Sequence, residues 1–88
     1  MATQILPVGE QIRTWRSRRR LSQLDLALNA DISARHLSSI ETGRSRPSRG
    51  MLLRLADQLR IPPRERNSLL VAAGFAPAQP ERRLDDPA

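Results

Sequence analysis

Apolar residues recur at helical intervals from about Pro7 to Gly74, and no stretch sustains the alternation of a half-buried strand. Five segments emerge, each bounded by a turn signal. Val8, Ile12 and Trp15 fall at i, i+4 and i+7 and share one face of a first helix, predicted over residues 8–20. Ser22 is a good N-cap for a second helix that ends near Asn29. Asp25 stands where a negative charge suits the helix N-terminus, and Leu26 and Ala27 are the predicted core positions. Ser33 caps a third helix from Ala34 to Glu41, with Leu37 and Ile40 inward and Gly43 as its stop. Ser48 caps a fourth, running to about Leu59, with Leu52, Leu55, Ala56 and Leu59 as its apolar stripe. Gly50 in its first turn weakens that start by roughly 1 kcal/mol against Ala. Pro63 suits the first position of a fifth helix and Gly74 the position just past its end, with Leu69, Leu70 and Ala73 docking it.

Charge narrows the partner. The 88 residues carry 15 basic side chains, all Arg, against 9 acidic ones, for a net charge of +6. Such an excess points to a polyanion. With no Cys there is no disulfide framework and no thiolate metal site, and the single His, His36, lacks a second soft ligand at useful spacing, so no metal or cofactor is expected. No paired carboxylates or nucleophile–base pair suggest an enzyme. One Trp and no Tyr leave too few stacking aromatics for reading single strands or RNA, and the phase of Trp15 with Ile12 assigns it to the core. The start lacks a secretory pattern and no run approaches 18 apolar residues, so a cytoplasmic protein without a membrane partner is expected. After Phe75 the chain turns to Pro77, Pro80, Pro87 and mixed charge. A domain over residues 1–75 and a flexible tail or linker over 76–88 are the predicted organisation.

The segment Leu21 to Gly43, LSQLDLALNADISARHLSSIETG, holds two short helices joined by a three-residue turn. With helix two ending near Asn29 and Ser33 capping the next, the turn is Ala30-Asp31-Ile32, and the segment has the size of a helix-turn-helix, whose second helix enters the DNA major groove. Ala27 is small enough for the helices to cross closely, and Ile32 plugs the turn. Leu26, Leu37 and Ile40 face inward, while Ala34, Arg35, Ser38 and Ser39 lie off that inner face.

At Leu21-Ser22-Gln23, Leu26-Ala27, Ile32-Ser33, Leu37-Ser38 and Glu41-x-Gly43 the chain resembles the Cro/phage-repressor (Xre-type) helix-turn-helix family. The strings LSQLDLAL, SARHLSSIETGRSRPSR, RERNSLLVAAGFAPA and ERRLDDPA are most similar to the N-terminal DNA-binding domain of MmyB-like bacterial transcription regulators. The resemblance implies an all-α, five-helix, lambda-repressor-like domain with its helix-turn-helix at helices two and three. It also implies either part of a longer protein, whose further domain holds any small-molecule ligand, or a solitary DNA-binding domain, with the first favoured. Asp31 stands where the family usually has Gly, and Arg20 where it often has a small residue; Asp tolerates the left-handed backbone better than most residues.

Roles follow from the same resemblance. Ala34, Arg35, Ser38 and Ser39 take the base-reading positions, and an Arg can bond both O6 and N7 of a guanine. Gln23 opens helix two, where the family holds a phosphate; Arg44, Arg46 and Arg49 surround the loop after helix three as further phosphate contacts, and His36 meets phosphate or base. Arg16 and Glu41 match a structural ion pair that orients the reading helix. The implied partner is double-stranded DNA, bound as a dimer by a chain that is monomeric in solution. The alternative is a protein-interaction module, antitoxin- or adaptor-like, on the same fold. Leu24 and Leu28, at i and i+4 where the family is usually polar, either pack on helix five or the tail, or meet a partner.

Overall fold

The computed structural model describes residues 6–76 and places five α-helices in them: α1 (Val8–Arg18), α2 (Gln23–Ala30), α3 (Ala34–Glu41), α4 (Arg49–Gln58) and α5 (Pro63–Ala72). The predicted tail lies outside the described residues apart from Ala76. No described helix is long and apolar enough to cross a membrane. All five helices start where the sequence predicts, three of them behind a serine cap. Ser22, Ser33 and Ser48 each adopt extended backbone, and each hydroxyl accepts from an amide three residues on, those of Asp25, His36 and Met51 at 3.0, 3.0 and 3.1 Å. The starts of α1 and α5 instead follow Pro7 and Pro62, whose fixed φ aims the chain into a helix.

All five helices leave through the same device. A residue in the left-handed region turns the chain, its amide bonds back to one carbonyl, and the next amide bonds one residue further back. The turning residues are Arg20, Asp31, Gly43, Arg60 and Gly74, with φ of 57°, 62°, 86°, 54° and 90°. At Asp31 the expected left-handed backbone is present. At Arg20 this device shortens the first helix: it ends at Arg18, not Arg20. The residue after the turn is apolar and packed on or in the core at four exits, Leu21, Ile32, Ile61 and Phe75. At the exit of α3 it is the exposed Arg44.

Ile12 of α1, Leu26, Ala27 and Ala30 of α2, Leu37 and Ile40 of α3, Leu52, Leu55 and Ala56 of α4, and Leu69 and Leu70 of α5 form one core, closed by Leu59 and Ile61. α3 lies against α1 and α2, while α5 closes the other side against α1 and α4. Trp15 packs against the core as expected but is only half-buried, and the guanidinium carbons of Arg18 and Arg19 stand 4.9 and 5.3 Å from its ring centre, so it is also a cation platform. Leu24 and Leu28 remain 58% and 69% exposed, so packing against α5 is not their role.

Candidate nucleic-acid interface

α3 is fixed at both ends. Ser33 caps its start, and the Gly43 turn closes its end, where the Thr42 hydroxyl also donates to the Ser38 and Ser39 carbonyls. Glu41, its last residue, is buried and accepts from three donors. Arg16 Nε reaches Oε2 at 2.7 Å, Arg16 Nη2 reaches Oε1 at 3.0 Å, and the Gln23 amide reaches Oε1 at 2.9 Å. Arg16 Nη1 donates to the Leu21 carbonyl at 3.0 Å. A fork on α1 therefore ties the end of α3 to the entry of α2, and the bidentate geometry fixes orientation as well as distance. Gln23, assigned to phosphate from the sequence, spends an amide hydrogen inside this network; its nitrogen carries two, so one remains for a further acceptor.

Gly9 completes the seat of α3, and the sequence reading missed it. A Cβ there would stand 2.3 Å from the Ile40 carbonyl oxygen and 2.6 Å from that of Glu41. Only a residue without a side chain lets α1 lie this close to the α3 backbone. The contact joins residues far apart in the chain, so no local signal marks it.

The expected reading residues are brought together on α3, unequally. Arg35 is exposed and in no ion pair among the described residues. Ser38 and Ser39, one turn on, are half-buried. Ala34 is also half-buried and packs against the core, so it presents less outward surface than its position off the inner face suggests. His36 is half-buried, its amide held by Ser33.

Beyond α3, Arg44, Arg46 and Arg49 are all exposed, and none is in an ion pair among the described residues. They are not equivalent. Arg46 Nη2 comes within 3.9 Å of the ideal Cβ position on Gly74, beside the exit of α5, where a cation suits the free carbonyl ends. Arg44 and Arg49 flank it. Among the described residues no group of three or more His, Cys, Asp or Glu gathers as metal ligands would.

A family profile described as "Helix-turn-helix domain" matches residues 7–69, which spans every described helix but the last turn of α5. The chain belongs to the helix-turn-helix domain family. This helix-turn-helix domain is 37% identical over 76 residues to the uncharacterized HTH-type transcriptional regulator RghRB of Bacillus subtilis (strain 168). The match takes in 85% of the chain and 52% of RghRB, so the chain spans about half the length of that relative. Its fold is similar to that of the restriction-modification controller protein C.AhdI from Aeromonas hydrophila, with a TM-score of 0.63 and 32% identity over 67% of this chain and 89% of that one. Both likenesses are consistent with the Xre-type pattern of its helix-turn-helix segment.

Proposed function

We propose that this domain binds double-stranded DNA in a sequence-reading manner as part of a bacterial transcription regulator, with α3 in the major groove. One observation carries the reading. A short helix pinned at both ends presents an exposed Arg35, exposed Arg44 and Arg49 follow at its exit, and none of the three is in an ion pair among the described residues. Pinning lowers the ordering cost of docking α3. Arg35 bonds the O6 and N7 edge of a guanine, with Ser38 and Ser39 one turn on against neighbouring bases. Arg44 and Arg49 neutralise phosphates, Arg46 takes part while leaning on α5, and the remaining Gln23 hydrogen points the entry of α2 to the opposite strand. One helix of this length reads a short half-site, so specificity requires two copies about 34 Å apart along the duplex.

The test is selection from a random duplex library followed by variants. An inverted repeat should be recovered. Arg35→Ala should lose about 1–3 kcal/mol and relax the preference at one base pair, while Arg49→Ala should weaken all sequences alike and reduce the salt slope by about 1. Binding without any enriched motif would refute sequence reading. A second reading, a protein-interaction module, is favoured by one observation, the exposed Leu24 and Leu28 on α2. A stable protein complex that survives Arg35→Ala and fails on replacing these leucines would support it.

A further inference from the structure

A second cationic surface lies where α1 and α4 both terminate, at the opposite end of α4 from Arg49. A cleft of about 270 Å³ there is lined by Arg19, Leu21, Gln58 and Arg60. Arg19 is its frame. Its Nε donates to the Leu59 carbonyl at 2.8 Å and its Nη2 to the Arg60 carbonyl at 3.0 Å, locking the two exits together. Arg18 is held over Trp15, so its guanidinium keeps an outward edge of donors at little loss of freedom. Arg20 sits in the chain between two lining residues. None of Arg18, Arg19, Arg20 and Arg60 has a carboxylate partner among the described residues.

The backbone makes this cluster unusual. Arg20 and Arg60 occupy left-handed turning positions, with φ of 57° and 54°, where glycine is free of strain and an arginine is not. The dipole of each helix favours one cation at its exit. It does not account for strained arginines at both exits, with Arg18 and Arg19 preceding one of them.

We propose that Arg18, Arg20 and Arg60 form a second phosphate-binding surface for duplex DNA. It engages the backbone on the far side of the groove from Arg44 and Arg49. Its position supports this. Leu21 of the cleft is bonded through its carbonyl to Arg16, which grips the end of α3, so the cluster borders the entry of α2. From Arg49 to the end of α4 the helix advances about 15 Å at ~1.5 Å per residue, which exceeds the ~12 Å width of a major groove. Arg49 and Arg60, at the two ends of α4, thus stand far enough apart to meet the two strands that wall one groove. The inference rests on the proposal that the domain binds duplex DNA.

The experiment measures binding to a 30-base-pair mixed-sequence duplex across a salt series, for the wild type and for Arg20→Gly combined with Arg60→Gly. Glycine relieves the strain at both turns, so this variant folds at least as well as the wild type, which thermal unfolding verifies. The plot of log affinity against log salt should flatten by about 2, roughly 0.9 for each phosphate no longer neutralised. Adding Arg18→Ala should flatten it further, and replacing all three by Lys should restore most of the slope. An unchanged slope in the glycine variant overturns the proposal and leaves these arginines as helix-end charges. If the wild type shows no salt-dependent duplex binding, the proposed function itself fails, a distinct outcome.

Discussion

Gly9 and Gly50 both lie in the first turn of a helix, and replacing each by alanine separates a packing argument from a propensity argument. On propensity alone both changes should stabilise, by up to about 1 kcal/mol. Space decides the difference. At Gly50 a Cβ meets nothing within 4 Å, so the gain stands. At Gly9 the same atom meets the carbonyl oxygens of Ile40 and Glu41 at 2.3 and 2.6 Å and the Glu41 carbonyl carbon at 2.8 Å. These are backbone atoms and cannot swing aside. To reach ordinary contact α1 must retreat from α3 by about 1 Å, and overpacking of this kind costs about 1–3 kcal/mol. The upper end applies, because the seam also carries the Arg16–Glu41 pair. Gly9→Ala should therefore lose about 2 kcal/mol net of its propensity gain. Gly50→Ala should gain up to about 1, a separation of about 3. For a domain of this size that is a gap of roughly 12–24 °C in Tm, read by far-ultraviolet circular dichroism. A Gly9→Ala protein as stable as the wild type, or level with Gly50→Ala, would refute the claim that α1 seats directly on the α3 backbone.

Other substitutions probe separate parts of the fold. Glu41→Ala leaves Arg16 without its carboxylate in a site where that arginine's side chain is only 16% exposed; a loss of about 3 kcal/mol is expected in urea unfolding, and a small or absent loss would show that the pair does not hold the helices together. Asp31→Gly relieves the left-handed backbone at φ 62° and removes an acid from the α2 exit, so thermal unfolding should rise by the equivalent of about 0.5–1 kcal/mol. Leu24→Ser with Leu28→Ser should leave Tm within about 0.5 kcal/mol of the wild type, as exposed positions do, and a larger loss would reveal a packing role.

What the chain disclosed before its structure follows from the range of each interaction. Ser22, Ser33 and Ser48 were legible as helix starts because a cap acts within three residues, and the core stripe of α4 because periodicity is local. The end of α1 was not. Arginine is a good helix former, and nothing in its chemistry marks Arg20 as a left-handed residue; the turn is imposed by Leu21 reaching the core. Arg16 and Glu41 were paired by family likeness, whereas the share that Gln23 takes in the same carboxylate depends on how α2 enters beside α3. Trp15 carries a helical phase that cannot show two arginines folding back over its ring. Gly9 was silent for the same reason, its partner being the backbone of a distant helix.

The helix exits also divide the labour of the molecule. At four of them the residue after the turn is an apolar anchor, so altering Leu21, Ile32, Ile61 or Phe75 loosens the core. At the exit of α3 the same backbone geometry closes without an anchor, and Arg44 stands exposed where one would be. Stability and surface chemistry are uncoupled at that one place. The domain can exchange the side chain beside its candidate reading helix, and with it the strength of its hold on a partner, while the interior that makes it fold is left alone.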